Sequence, residues 1–216
     1  KDYGSVSRTV QIGMINLNSN LVFVTVDDCI FSENSIDICL EQCQEECSYQ
    51  DVILMRYKEG SYIYTAEDYR LGHHDTFKNL NIPQDWLSAP QFIMNKNYFI
   101  ELGGFDCRYE YMNEPVHDFI IRLQRSGGKV IPSKVHSCEA SHYPGTDGDH
   151  APVHNAQITH DYPLFCHIYS NGIDDIPISI NYDNWKSSPV VWNRRFSNGI
   201  TSSYSDLIKQ ENYRNL

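Results

Sequence analysis

A chain of 216 residues, 41% of them apolar, can bury a substantial core, and its length fits one domain with an appended tail. A net charge of −11 excludes a broad basic face for gripping nucleic acid, and no run of about 18 apolar residues is present to cross a membrane as a helix. Seven cysteines, an odd number in a chain too large to need disulfide staples, read as reduced thiols in a cytoplasmic protein.

Gly4–Leu17 reads as a helix, with Val6, Val10, Met14 and Leu17 forming its apolar stripe. Leu21–Val26 (LVFVTV) is a continuous apolar run rich in β-branched residues, the pattern of a central strand buried on both faces in a parallel sheet. It ends in Asp27 and Asp28. Open α/β sheets bind ligands beyond the C-terminal ends of their strands, and paired hard oxygen ligands there suit Mg2+ or Mn2+ on a diphosphate. Ser32 is a sound N-cap for a helix running to about Glu46, with Ile36, Leu40 and Cys43 inward. Cys39, Cys43 and Cys47 recur every four residues on it. The outer two lie about 12 Å apart along the axis, so one tetrahedral metal cannot collect all three; they read as small buried apolar residues. Val52–Tyr57 and Ser61–Ala66 form a hairpin across Lys58-Glu59-Gly60. Glu67–Pro90 is loop-rich, with His73-His74 on the surface and Trp86 in a packing role.

Leu102–Val130 (LGGFDCRYEYMNEPVHDFIIRLQRSGGKV) has the clearest design. A glycine pair and an acidic turn precede a helix that starts at Asn113, with Glu114 serving the positive end and Pro115 in the first turn. Val116, Phe119, Ile120 and Leu123 make its buried face, Glu114, Asp118 and Arg122 recur at intervals of four, and Gly127-Gly128 ends it. A carboxylate on the first turns of a helix beside a glycine-built loop is a plausible general base.

Gln91–Val130 resembles the acceptor-side segment of family 2, GT-A-fold glycosyltransferases, in which a GGFD turn leads to an acidic motif, a helix with an Arg and a closing GG. The chain departs from the usual Glu-Asp pair, reading Asn113-Glu114-Pro115-Val116-His117-Asp118. The resemblance implies that Asp118, Glu114 or His117 deprotonates the acceptor. It also implies that Val26-Asp27-Asp28-Cys29 stands for the family's metal motif with Val in place of its first Asp, so that Asp28 and Asp27 hold Mn2+ or Mg2+ on the donor diphosphate. The fold it implies is a GT-A-like (Rossmann-like) α/β structure with a mixed, mostly parallel sheet flanked by helices. The family's nucleobase-binding β-α-β units precede the helix that opens this chain. The expectation is therefore a fold incomplete on its N-terminal side, with a longer chain or a partner supplying that half. Residues 1–154 are expected to form the metal and acceptor portion, and 155–216 a C-terminal extension packed on it.

The loop from His142 to His154 is dense in potential ligands. His150 and His154 have the spacing of a helical zinc pair, but Pro152 lies between them and Ala151 stands where a zincin needs Glu. The resemblance makes His142, His150 and His154 candidates for a late metal ligand. In the tail, Trp185 and Trp192 read first as cover for the sheet edge or core, with an acceptor edge or an oligomer contact, joined by Arg194-Arg195, as the alternatives, and Ser205–Gln210 as a short helix. The resemblance implies an inverting, metal-dependent transfer of sugar from a nucleotide-diphosphate sugar, UDP-sugar first, to a hydroxyl acceptor. The alternatives are a non-catalytic carbohydrate- or nucleotide-binding module that kept the fold, and a zinc hydrolase built on His142, His150 and His154.

Overall fold

The structure is a computed structural model that describes residues 5–26, 28–73, 77, 80–140 and 156–187. Helix α1 (Val6–Asn16) opens it, capped by the Ser5 hydroxyl, which accepts the Arg8 N–H at 3.2 Å. There follow β1 (Leu21–Val24), β2 (Cys29–Phe31), α2 (Ser35–Glu46), β3 (Val52–Leu54), β4 (Tyr57–Glu59) and β5 (Tyr62–Ile63). Next come β6 (Phe92–Asn95), α3 (Lys96–Glu101), α4 (Asn113–Arg125), β7 (Val130–Pro132), β8 (Cys138–Ala140) and α5 (Tyr162–Ile168). Among the described residues no helix is long and apolar enough to cross a membrane.

The chain divides into two compact units: residues 19–99 with 123–142, and residues 1–18 with 100–122 and 143–216. The first unit holds all the described strands, in two four-stranded mixed sheets ordered β1-β6-β3-β7 and β2-β8-β4-β5. The α/β class with mixed sheets and helices is the expected one. The share of parallel pairing is smaller than expected: β3 with β7 and β4 with β8 are parallel, while the other four pairs are antiparallel. A continuous apolar run reports burial on two faces and not strand direction, and β6 lies antiparallel between β1 and β3.

The run that looked central is also displaced. In β1, Val22 and Val24 are buried while Leu21 and Phe23 are half-buried, and β1 stands at the edge of the described sheet. The fully buried strands are β3 and β6, whose Val52, Ile53, Leu54, Phe92, Ile93 and Met94 are sealed from solvent. Against them pack Cys39 and Cys43 of α2, which behave as the small apolar residues the sequence suggested. All seven cysteines are free thiols. A hairpin does turn at Gly60, φ 57°, but between β4 and β5; the expected first strand, Val52–Tyr57, is divided between β3 in one sheet and β4 in the other. Ser32 does not cap α2: Asn34 precedes the helix in the left-handed region, and Ser35 donates its hydroxyl to the Ser137 carbonyl at 2.7 Å. The second glycine pair ends α4 in a Schellman closure, with Gly128 N–H on the Leu123 carbonyl and Gly127 N–H on that of Gln124, both at 3.1 Å.

In the second unit, α1 buries Ser7, Gln11 and Met14, one position round from the apolar stripe; Leu17 is exposed. The reason is Gln11. Its amide donates to the Gly103 and Tyr182 carbonyls at 2.8 Å each, and its oxygen accepts the Phe105 N–H at 2.9 Å. Asn184, in the helical turn Tyr182–Ser187, accepts the Cys107 N–H at 2.9 Å and donates to the Phe105 carbonyl at 3.1 Å. The turn at 103–106 is thus held by amide side chains, which satisfy backbone groups that a buried turn would otherwise leave unpaired.

Both glycines of this turn have positive φ, 83° at Gly103 and 64° at Gly104. A Cβ on Gly103 would meet the Ile180 carbonyl oxygen at 1.9 Å, a backbone atom, whereas one on Gly104 would meet the Gln11 side-chain oxygen at 2.1 Å. Gly103→Ala is therefore expected to cost about 3 kcal/mol or more, and Gly104→Ala less, because a side chain can move aside. Denaturant unfolding of both variants checks the order, and equal losses would contradict the backbone clash.

Candidate active site

Helix α4 starts at Asn113 itself, and its Val116 N–H bonds the Met112 carbonyl at 3.3 Å. Val116, Phe119, Ile120 and Leu123 are buried, as the periodicity predicts. The charged row at intervals of four is buried as well, which periodicity does not predict. Arg122 has no exposed surface. Its Nε donates to Asp118 Oδ2 at 3.0 Å, Nη1 to the Leu102 carbonyl at 2.5 Å and Nη2 to the Gly104 carbonyl at 2.6 Å. Asp118 Oδ1 accepts the Tyr169 hydroxyl at 2.9 Å. Of the three candidate bases, Asp118 is thus placed in the interior with both oxygens engaged, binding helix to turn. His117 is half-buried on the same helix.

Glu114, one turn before Asp118, is placed differently. It is 7% exposed; Oε1 accepts from the Gln157 amide at 3.3 Å, and Oε2 is buried without a hydrogen-bond partner among the described residues. Burial, and then the negative charge of Asp161, raise its pKa to about 7, against the weaker pull of its own N–H and Gln157. A largely desolvated carboxyl that titrates near neutrality and keeps one oxygen unbonded can take a proton from a bound hydroxyl.

The facing wall is the turn Gln157–Asp161, which runs into α5. This turn is wound wide, so that the Tyr162 N–H reaches the Gln157 carbonyl five residues back. Asp161 is sealed from solvent and accepts the Glu110 N–H with both oxygens at 3.0 Å and the Tyr111 N–H at 2.7 Å. His160 Nδ1 lies 2.7 Å from Asp161 Oδ1. The sequence reading singled out none of Gln157, His160, Asp161 or Tyr169. The available signal was a His-Asp pair immediately ahead of a helix with Pro163 in its first turn.

Asp28 belongs to the strand-bearing unit, exposed in the turn between β1 and β2. Gln91 ties both sides of that turn, accepting the Thr25 hydroxyl at 2.7 Å and donating to Cys29 Sγ at 3.2 Å. Asp27, His142, His150 and His154 lie outside the described residues, as do His74, Trp192, Arg194, Arg195 and the expected helix at 205–210. Among the described residues no group of three or more His, Cys, Asp or Glu could hold a metal ion. One exposed carboxylate does not make a divalent-cation site. Of the ligands expected for Mn2+ or Mg2+, Asp28 alone is among the described residues. His73 is exposed and Trp86 half-buried, matching the surface and packing roles read for them.

Because the folded-state pKa of Glu114 lies above its ordinary value of 4.5, its stabilising contribution is complete below about pH 4.5 and is lost as pH rises through about 7. Glu114→Gln, which cannot ionise, should gain stability relative to the parent across that window, approaching about 3 kcal/mol above pH 8. Unfolding both proteins in denaturant between pH 4.5 and 8.5 measures this, and a pH-independent difference would mean that the carboxyl is not shifted.

No family model and no curated protein matches the chain. Among solved structures it is similar to a crystal structure of GalNAc-T7 with UDP, GalNAc and Mn2+, at 12% identity and a TM-score of 0.47. The match covers 97% of this chain and 44% of that one, so the chain spans less than half the length of that protein. A likeness at this score assigns neither family nor chemistry, which leaves the residues of the chain itself as the basis for function.

Proposed function

We propose that the chain is the acceptor-activating part of a glycosyltransferase, with Glu114 as the general base. The observation that carries this reading is the buried Oε2 of Glu114, without a hydrogen-bond partner among the described residues, on the first turn of the helix that follows the GGFD segment. In the proposed step an acceptor hydroxyl attacks the anomeric carbon of a nucleotide-diphosphate sugar. The new C–O bond forms as the bond to the diphosphate breaks, the nucleoside diphosphate leaves with the electron pair, and the hydroxyl proton passes to Glu114. A single displacement of this kind inverts the anomeric configuration and needs one base and no covalent nucleophile. The buried position excludes bulk water from the carboxyl, which keeps its proton affinity high enough to compete for a hydroxyl proton.

UDP release by the whole protein, together with the half expected to bind the nucleobase, from a panel of UDP-sugars, with water or simple alcohols as acceptor and with Mn2+ or EDTA present, tests the reading. The expected result is turnover whose kcat/KM rises with pH through a midpoint near 7, the pKa to which Glu114 is raised. Glu114→Gln should lower kcat by roughly 100-fold or more with little change in KM. Turnover that survives Glu114→Gln would remove the base assignment. Binding of UDP-sugars without turnover in the parent protein would instead favour the non-catalytic binding module.

A further inference from the structure

Glu114 is steadied by Gln157, and the segment that carries Gln157 ends at Asp161. Asp161 does not bond Glu114. It holds the backbone that leads into it, taking the N–H groups of Glu110 and Tyr111, four and three residues upstream, at 3.0 and 2.7 Å. One buried carboxylate thereby fastens the approach to α4 onto the wide turn that supplies Gln157, so the two partners of the Glu114–Gln157 contact are set by the same anchor. We propose that Asp161 is the positioning residue of this site, fixing Glu114 against the substrate through the backbone of residues 110 and 111. The substrate and the proton transfer belong to the glycosyltransferase reading; the anchoring contacts do not depend on it.

The anchor also carries charge. Among the described residues, His117 and Asp118 share the helix of Glu114, Glu110 precedes that helix, and His160 and Asp161 stand on the turn that carries Gln157. Of these, Asp161 is the charge that adds to burial in raising the Glu114 carboxyl. Removing it should let Glu114 ionise at lower pH, because a like charge beside a carboxylate disfavours ionisation.

Asp161→Asn is the first test, read on the whole protein in two ways that need no activity. The pH midpoint of the stability difference between the Asp161→Asn protein and the same protein also carrying Glu114→Gln should fall from about 7 toward 4.5, and amide hydrogen exchange at Glu110 and Tyr111 should quicken. A folded Asp161→Asn protein that keeps parental exchange rates at Glu110 and Tyr111 overturns the proposal. If that variant does not fold, Asp161→Glu keeps the charge and displaces the acceptor. It should quicken exchange at the same two amides and lower kcat by roughly tenfold at unchanged KM, as misplacement of a catalytic group does. Parental exchange rates in Asp161→Glu overturn the proposal. An unaltered protein that turns over no UDP-sugar sinks the glycosyltransferase reading, while the midpoint and the exchange rates still decide the role of Asp161.

Discussion

The guanidinium of Arg122 is the constraint on which its unit depends. A buried charge is costly unless paired and fully hydrogen-bonded, and Arg122 meets both conditions through Asp118 and the carbonyls of Leu102 and Gly104. Those carbonyls belong to the turn that precedes α4, so the ion pair is also the clamp that fixes the turn to the helix. The planar fork of Arg suits two converging carbonyls and a carboxylate at once, which a lysine ammonium could not match. Its ring contact with Phe119, 5.6 Å from guanidinium carbon to ring centroid, fills the remaining face. Losing either charge would leave the other buried and uncompensated, at a cost of about 3–5 kcal/mol.

The clamp explains why the turn can be so tight. Gly103 lies against the Ile180 carbonyl with no room for a side-chain carbon, and Gly104 lies equally close to Gln11. Polar side chains from segments far apart in sequence, Gln11 and Asn184, then occupy backbone groups that Arg122 does not reach. Side chains thus take up the Gly103, Gly104 and Phe105 carbonyls and the Phe105 and Cys107 N–H groups of the buried turn.

How much of this could be read beforehand differs by residue. Helix α4, its apolar face and its glycine stop follow from local rules, because capping, periodicity and a positive φ act within a few residues. The hairpin at Gly60 and the apolar character of Cys39 and Cys43 follow for the same reason. The inward face of α1 does not, since Gln11 is buried by bonds to residues 92 and 171 positions away. Strand direction in β6 and the edge position of β1 were equally hidden, being properties of pairing between distant segments. In the candidate site the helix residues were legible and their facing wall was not. Nothing local distinguishes the Asp161 that accepts two backbone N–H groups from an ordinary solvated aspartate.

Glu114 and Asp118 show the same limit within a single helix. They are one turn apart, both are carboxylates, both are buried, and by sequence either could be a base. Asp118 receives a guanidinium on one oxygen and a phenol on the other, so its charge is matched and its lone pairs are committed. Glu114 receives one amide at 3.3 Å and a negative neighbour, so burial works against its ionised form and one oxygen is left over. The two acids therefore differ in how fully their oxygens are bonded, although one turn of one helix carries both. The first holds the turn; the second, relieved of that duty by the first, can tolerate the unsatisfied oxygen that chemistry on a hydroxyl requires. The stability that Arg122 and Asp118 give this unit is what permits Glu114 to remain buried and under-bonded one turn away.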